Sequence, residues 1–396
     1  MNIALITSEY PATDGTVGGL GTYTAKIAKL LKNEGHLPVI LAFVDRPMAS
    51  NRAELPVIDV IRRRPSAILK NTRFFWRYET PIRRYLDSRR LLRTLNSLNQ
   101  RLKVDVVQLT NCHSPGIAIA GSNRWPTITR FSNLEWLWRE ANASPIDASQ
   151  RILDRLDARQ ALASTITCAP SMFLADHARK SLGLRSRIVR TPPPARAVFP
   201  AASSRREKNR IAFVGSCNRI KGFDIFLEAA CDLLGRKLPV QFEIAGRLLE
   251  PSPLRNHLEE IRSRNSSRID FHGPVNQATV NNILERTGCL VIPSRVDNYP
   301  NICLEAQARG CPVIASDDSS LDEMVTEGKN GFLFNNGSTE SLVIALRNFL
   351  DLSECALLRM SEAAQETDNH RRLEKPISHL VSLYEEAKEY FGNSPS

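Results

Sequence analysis

The chain has no apolar run of the roughly 18 residues needed to cross a bilayer, which argues against a membrane-spanning helix. It has no CxxC pair. Its eight cysteines (Cys112, Cys168, Cys217, Cys231, Cys289, Cys303, Cys311, Cys355) sit mostly in apolar surroundings and read as reduced packing residues. No repeat on a scale of tens of residues is visible, which excludes a solenoid. The opening "MNIALITSEYP" runs into an apolar strand without a basic region or a small-residue cleavage site, so no signal peptide is read and a cytoplasmic protein is expected. Acids are scarce in one stretch: from Arg62 to Lys103 there are thirteen Lys or Arg against Glu79 and Asp87 alone.

What is present is a chain of 396 residues, too long for one core and suited to two domains of ~200 residues each. A hydrophobic content of 42% with 24% charge leaves little room for long disorder. The net charge of +11 favours an anionic partner, whether nucleic acid, membrane surface or phosphorylated substrate.

Apolar stretches of strand length alternate with helical patterns. In the first half these are 2–7, 38–44, 104–110, 126–131, 165–170 and 187–190, with helices over 21–34, 81–102 and 147–163. Their hydrophobicity is continuous, as expected for parallel strands covered on both faces. The run "TPPPARAVFPAASSRREKN" (191–209) then interrupts both periods. Strands at 210–215, 240–246, 269–273, 289–293 and 312–316 follow, with helices from Phe223 and over 254–263, and a helix over 376–391 closes the chain. The expected organisation is an N-terminal domain over 1–195, a linker over 196–209, a second domain over 210–375 and a final segment, 376–396, returning to the first domain. The fold class is α/β, with two Rossmann-like doubly wound domains facing across a cleft into which the carboxyl ends of their strands open.

Three stretches carry candidate chemistry. In "SEYPATDGTVGGLGTYTAKIAKLL" (8–31), Gly18 and Gly19 open a helix whose N-terminus suits a phosphate, although the spacing is not GxGxxG and a plain helix entry reads as well. In "IAFVGSCNRIKGFDIFLEAA" (211–230), Arg219 and Lys221 stand before a helix and can neutralise a pyrophosphate, or form a solvated basic turn. In "PSRVDNYPNICLEAQARGCPVIAS" (293–316), Asp297 lies in a loop, Asn301 is placed to cap a helix, and Glu305 follows one turn later. A carboxylate there can accept both hydroxyls of a ribose. The plainer reading is a capping loop and a helix surface.

The order of these three stretches resembles glycosyltransferase family 4 (glycosyl transferases group 1), the retaining nucleotide-sugar enzymes of the GT-B fold. The strongest likeness runs over 210–350, where 293–334 is similar to the family's donor signature of a Glu, seven residues, a second Glu and a "G-x-PVI-A" strand. The resemblance implies that Glu305 binds the donor ribose, that Ser294 belongs to the donor site, and that the Asn301 and Ile302 amides hold the diphosphate. It implies that Lys221, with Arg219, neutralises the leaving group, that Gly18 and Gly19 approach the phosphates, and that Asp297 reaches the sugar. It implies a UDP- or GDP-linked sugar as donor, no cofactor or metal, and a glycan, lipid-linked or small-molecule acceptor in polysaccharide, lipopolysaccharide or other glycoconjugate synthesis.

This chain departs from the pattern in three places. Asp297 stands where the family has Glu, shorter by ~1.5 Å. Ser216 stands where many members carry Arg, and Ser132 where many carry His, leaving His113 in "TNCHSPG" as the nearest substitute. A catalytically silent partner subunit and a sugar-nucleotide epimerase are the alternative readings. The basic segment 62–103, with its aromatics and a leucine-striped helix, fits either a solvated face or adsorption to an anionic membrane surface on the cytoplasmic side. No nucleic-acid motif accompanies it.

Overall fold

The computed structural model describes residues 1–9, 19–44, 55–62, 73–143, 146–193, 206–248 and 253–393. Gly18 and most of the 191–209 interruption lie outside these residues. The chain divides into two compact units. Unit 1 comprises Met1–Arg139, Ala143–Thr191 and Pro376–Ser396, and unit 2 comprises Glu140–Asn142 and Pro192–Lys375.

Unit 1 is built on β1 (Asn2–Thr7), α1 (Gly19–Asn33), β2 (Leu37–Val44), β3 (Val57–Ile61), α2 (Arg73–Arg101), β4 (Val106–Thr110), α3 (Ile117–Ala120), β5 (Thr127–Arg130), α4 (Glu135–Ala141), α5 (Ala148–Ala163), β6 (Ile166–Ala169), α6 (Met172–Leu182) and β7 (Arg187–Ile188). Its strands form one parallel sheet in the order β3-β2-β1-β4-β5-β6-β7. Every residue of β4, β5 and β6 is buried, so these strands do not alternate; apart from Gln108 and Arg130, which are hydrogen-bonded, their residues are apolar or small, hydroxyl- or thiol-bearing. The order reverses between β1 and β4, and in such sheets that switch point is where ligands bind, beyond the carboxyl ends of the strands.

Unit 2 repeats the plan with β8 (Glu207–Val214), α7 (Phe223–Gly235), β9 (Gln241–Ala245), α8 (Pro253–Arg264), β10 (Ile269–Phe271), α9 (Gln277–Arg286), β11 (Thr287–Ile292), α10 (Asn301–Ala308), β12 (Val313–Ser316), a 3-10 turn at Ser320–Glu323, β13 (Gly331–Phe334), α11 (Thr339–Leu350) and α12 (Glu354–Leu373). The sheet order is β10-β9-β8-β11-β12-β13, all parallel, with its switch point between β8 and β11. Phe213, Phe223, Phe226 and Phe242 stack at centroid spacings of 5.0–6.3 Å and fix α7 against the sheet.

Several elements differ from the sequence reading. The helix expected over 81–102 begins at Arg73, and Pro81 sits inside it. Strand β7 has two residues where four are expected. Strands β3 and β13 and helices α3, α4, α6, α9, α11 and α12 were not read from the sequence; the two strands are short and α12 is rich in polar side chains, but α11 went unread although Leu342, Val343, Leu346 and Phe349 form a buried apolar face.

The last helix, α13 (Pro376–Asn393), lies on unit 1, where Leu380, Leu383, Tyr384 and Ala387 complete the cluster formed by Tyr23, Ile27, Leu31, Val106 and Ile128. Tyr384 is fully buried, and its hydroxyl donates to Gln108 Oε1 at 2.7 Å. All four tryptophans (Trp76, Trp125, Trp136, Trp138) belong to unit 1, so their fluorescence reports its unfolding alone. Tyr384→Phe leaves the buried Gln108 oxygen without its donor and is expected to lower the stability of unit 1 by about 1–2 kcal/mol. Urea titration followed by tryptophan emission checks this, and an unchanged midpoint would show that the bond contributes nothing.

Candidate functional site

In unit 2 the chain after β8 and the chain after β11 meet at the switch point. Gly222 caps α7 with φ +65°, and a Cβ there would stand 1.8 Å from the Pro293 carbonyl oxygen. Only glycine allows that approach. It carries the turn 219–222 onto the end of β11, so Arg295 N donates to Ile220 O at 2.8 Å and Lys221 Nζ donates to Asp297 Oδ2 at 2.7 Å. Asp297 is buried, and Ser294 Oγ donates to the same oxygen at 2.8 Å while Asn298 N donates to Oδ1 at 3.1 Å. The site therefore unites Lys221, Ser294 and Asp297. Three donors converge on the Asp297 carboxylate, so it holds Lys221 in place rather than projecting freely.

The expected cap is corrected. Pro300 is the N-cap of α10 and gives no side-chain hydrogen bond, while Asn301 is the first helical residue. A pyrrolidine has no acceptor to offer, so the first-turn amides of Asn301 and Ile302 precede the helix's own ladder and are left for a ligand. Glu305 lies one turn on, half-buried, and accepts from Gln277 Nε2 at 2.9 Å. Arg219 sits apart from this group: it is half-exposed and contacts Asp224 Oδ2 at 3.4 Å. Asp224 is instead gripped by Arg295, through two contacts of 2.7 Å. Arg295 was not singled out in the sequence.

Behind the site, Tyr299 has φ +62°, a left-handed conformation that an aromatic residue adopts only under constraint. Its amide donates to Ser320 Oγ at 2.5 Å, and that hydroxyl donates to Asp297 O at 2.9 Å. Arg371 on α12 is buried, stands 5.8 Å from the Tyr299 ring centroid, and donates to Gln307 Oε1 on α10 and to Met324 O. Among the described residues it has no carboxylate within ion-pair distance. A buried guanidinium held by carbonyls and a ring is costly, and its effect is to tie α10 and the 297–299 loop to one point. Ser320, Gln307 and Arg371 were missed from the sequence, where nothing links positions 64 residues apart.

In unit 1, His113 and Ser114 both have positive φ (67° and 47°) beyond β4, also at a switch point. The His113 ring faces Glu135 Oε1 at 4.0 Å, and that carboxylate accepts from Arg84 at 2.9 Å. Ser114 Oγ donates to Asp157. Burial, then the Arg84 charge, lowers the His113 pKa against the opposing pull of Glu135, so the imidazole is neutral at pH 7. Burial and the Glu135 charge raise the Asp157 pKa well above the usual carboxyl range. Gly21 N donates to Glu9 Oε1 at 3.0 Å, which fixes the start of α1. Ser132 N donates to Asn111 Oδ1 at 2.7 Å. His113 and Lys221 belong to different units, and among the described residues no three His, Cys, Asp or Glu side chains gather as a metal site.

Residues 17–195 match the family model described as Glycosyltransferase Family 4, and residues 208–351 match Glycosyl transferases group 1. The chain belongs to these glycosyltransferases. Their GT-B fold is the one seen here, two doubly wound α/β sheets. Sucrose-phosphate synthase from Thermosynechococcus elongatus aligns over 97% of this chain and 98% of its own, with TM-score 0.77 at 15% identity. Anabaena HepE in complex with UDP aligns over 96% of this chain and 100% of its own, with TM-score 0.72 at 16% identity. At such identities the likeness concerns the fold. A D-inositol 3-phosphate glycosyltransferase from Corynebacterium urealyticum is 29% identical over 181 residues, 44% of this chain and 42% of the relative. The match thus spans less than half the length of that curated relative.

At this candidate site, Arg371→Met is expected to weaken the binding of an added nucleoside diphosphate about tenfold, ~1.4 kcal/mol, by releasing α10 and the strained loop. Arg371→Lys should recover only part of it, because an ammonium lacks the guanidinium fork. Calorimetric titration alongside thermal melting tests this, and unchanged affinity in folded Arg371→Met protein would refute the positioning role.

Proposed function

We propose that the chain is a retaining glycosyltransferase that moves a sugar from a nucleoside diphosphate sugar to an acceptor hydroxyl. The observation that carries this reading is the convergence, at one switch point, of the Lys221–Asp297 pair with the uncapped first turn of α10 and Glu305. That arrangement has the chemistry of a nucleoside diphosphate: amides and a helix dipole for phosphate oxygens, an ammonium for the developing charge, a carboxylate for ribose hydroxyls. HepE in complex with UDP, and starch synthase IV of Arabidopsis thaliana bound to ADP and acarbose, lend support as proteins of the same fold.

In this reading the glycosidic bond to the diphosphate breaks as Lys221 and the α10 amides stabilise the departing oxygen, the protein itself supplying the positive charge. The acceptor hydroxyl attacks from the face the diphosphate leaves, its proton passes to the departing diphosphate oxygen, and the configuration is retained. Asp297 keeps Lys221 aimed and touches the sugar only if donor binding draws the ammonium away. Glu305 exchanges its Gln277 bond for the ribose. Arg219 serves the outer phosphate when it leaves Asp224. His113, neutral and at the acceptor-side switch point of unit 1, has the protonation state to accept a hydrogen bond from a substrate hydroxyl. Gly19 is the first residue of α1 and opens that helix within unit 1. The acceptor is a glycan, a lipid-linked sugar or a small molecule, in polysaccharide, lipopolysaccharide or other glycoconjugate synthesis.

A panel of UDP-, GDP- and ADP-sugars, read by released diphosphate and by anomeric NMR of the product, tests the proposal. Lys221→Ala is expected to lower kcat by about a hundredfold, the scale of losing one preorganised electrostatic contact, with donor KM changed much less. Asp297→Asn should lower kcat in the same way but by less. Donor affinity without turnover would make the chain a silent partner subunit, and the absence of both binding and turnover would end the proposal.

A further inference from the structure

Among the described residues of unit 1, one face of α2 is left uncovered. Leu91 and Leu95 are buried in the core with Leu98 and Leu102 beside them, and Asp87 is buried and bonded to Arg90 at 2.8 Å. The opposite stripe holds Ile82, Tyr85, Leu86, Arg89 and Arg93, at the three- and four-residue steps that align side chains on a helix. Ile82, Tyr85 and Leu86 are 37%, 44% and 49% exposed, so the stripe opens with a contiguous apolar patch. Arg89 and Arg93 continue it, exposed and without an ion pair among the described residues, and Arg83 is exposed at its edge. The acids of this helix are Glu79 and Asp87, and Asp87 is turned inward.

We propose that this face of α2 docks on an anionic lipid surface, with Ile82, Tyr85 and Leu86 entering the headgroup boundary and Arg83, Arg89 and Arg93 facing lipid phosphates. Two features favour lipid over other occupants. The charge is of one sign and complementary to an anionic headgroup layer, and the apolar residues share the stripe with the arginines. A nucleic acid would use the arginines and leave Ile82 and Leu86 in water. A second copy of this chain would set each arginine row against the same charges if the stripe paired with itself. The interaction is independent of the donor chemistry in unit 2, so either can fail without the other.

The test is co-sedimentation of the full chain with vesicles of phosphatidylcholine alone and of phosphatidylcholine mixed with phosphatidylglycerol, at low and high salt. Binding to the mixed vesicles, weakened by salt and at least tenfold stronger than to the neutral ones, is expected. Arg89→Glu with Arg93→Glu should abolish that preference, and Ile82→Ser with Leu86→Ser should reduce binding about tenfold. Circular dichroism and nucleoside diphosphate titration should leave both double variants unchanged, so that misfolding is not read as lost binding. Equal sedimentation with both vesicle types, or binding that survives both double variants, would overturn the proposal. So would vesicle-independent dimerisation lost on Ile82→Ser with Leu86→Ser, or tighter binding to duplex DNA than to anionic vesicles.

Discussion

The close approach of Gly222 to the Pro293 carbonyl is the contact on which the candidate site depends. A side chain at position 222 would push the basic turn off the end of β11, and Lys221 would lose Asp297. The constraint is steric and local, but its consequence is electrostatic. It sets an ammonium, a buried carboxylate and an uncapped helix start within one small region where strand order reverses, and the parallel sheet beneath keeps that region from relaxing. The strain at Tyr299 follows the same logic: the loop adopts an unfavourable backbone because Ser320 and Arg371 hold it from behind.

The two units meet one problem in different ways. Both place chemistry at the carboxyl ends of β1/β4-type strand pairs, where backbone groups run out of sheet partners. Unit 2 meets the need with the Lys221–Asp297 pair and a helix terminus. Unit 1 surrounds its switch point with Arg84, Arg139, Glu135, Asp154 and Asp157, and burial, then the Arg84 charge, keeps His113 neutral against the pull of Glu135. A neutral, positionable imidazole and a fixed ammonium suit different tasks, hydrogen bonding to a hydroxyl and stabilisation of an oxyanion.

Much of this was legible in the residue order. Continuous apolar runs gave most strands of both sheets, because burial on both faces forces a pattern with no polar gaps. Glycine placement gave the helix entry at Phe223, because the left-handed cap at Gly222 has a strong residue preference. The role of Asp297 was less legible. Read by type and position it is a sugar contact; in the fold, three donors converge on it and it orients Lys221. Asn301 was read as the cap because asparagine favours that place, yet Pro300 takes it, its fixed φ fitting the turn into α10. Arg219 was read as a phosphate ligand, and the contact it makes with Asp224, five residues on, was not legible beside that reading.

By itself the sequence determined the α/β class, the doubling of the sheet, the family and the stretches that carry the chemistry. These depend on local periodicity and on residues a few positions apart. Only the tertiary structure decided which polar groups meet: Lys221 with Asp297 across 76 residues, Arg371 with Gln307 across 64, and Tyr384 with Gln108 across 276. The reason is physical. Burial of apolar surface is nondirectional and shows in composition and period, whereas a hydrogen bond needs one donor and one acceptor brought within ~3 Å, and the path of the whole chain sets that meeting.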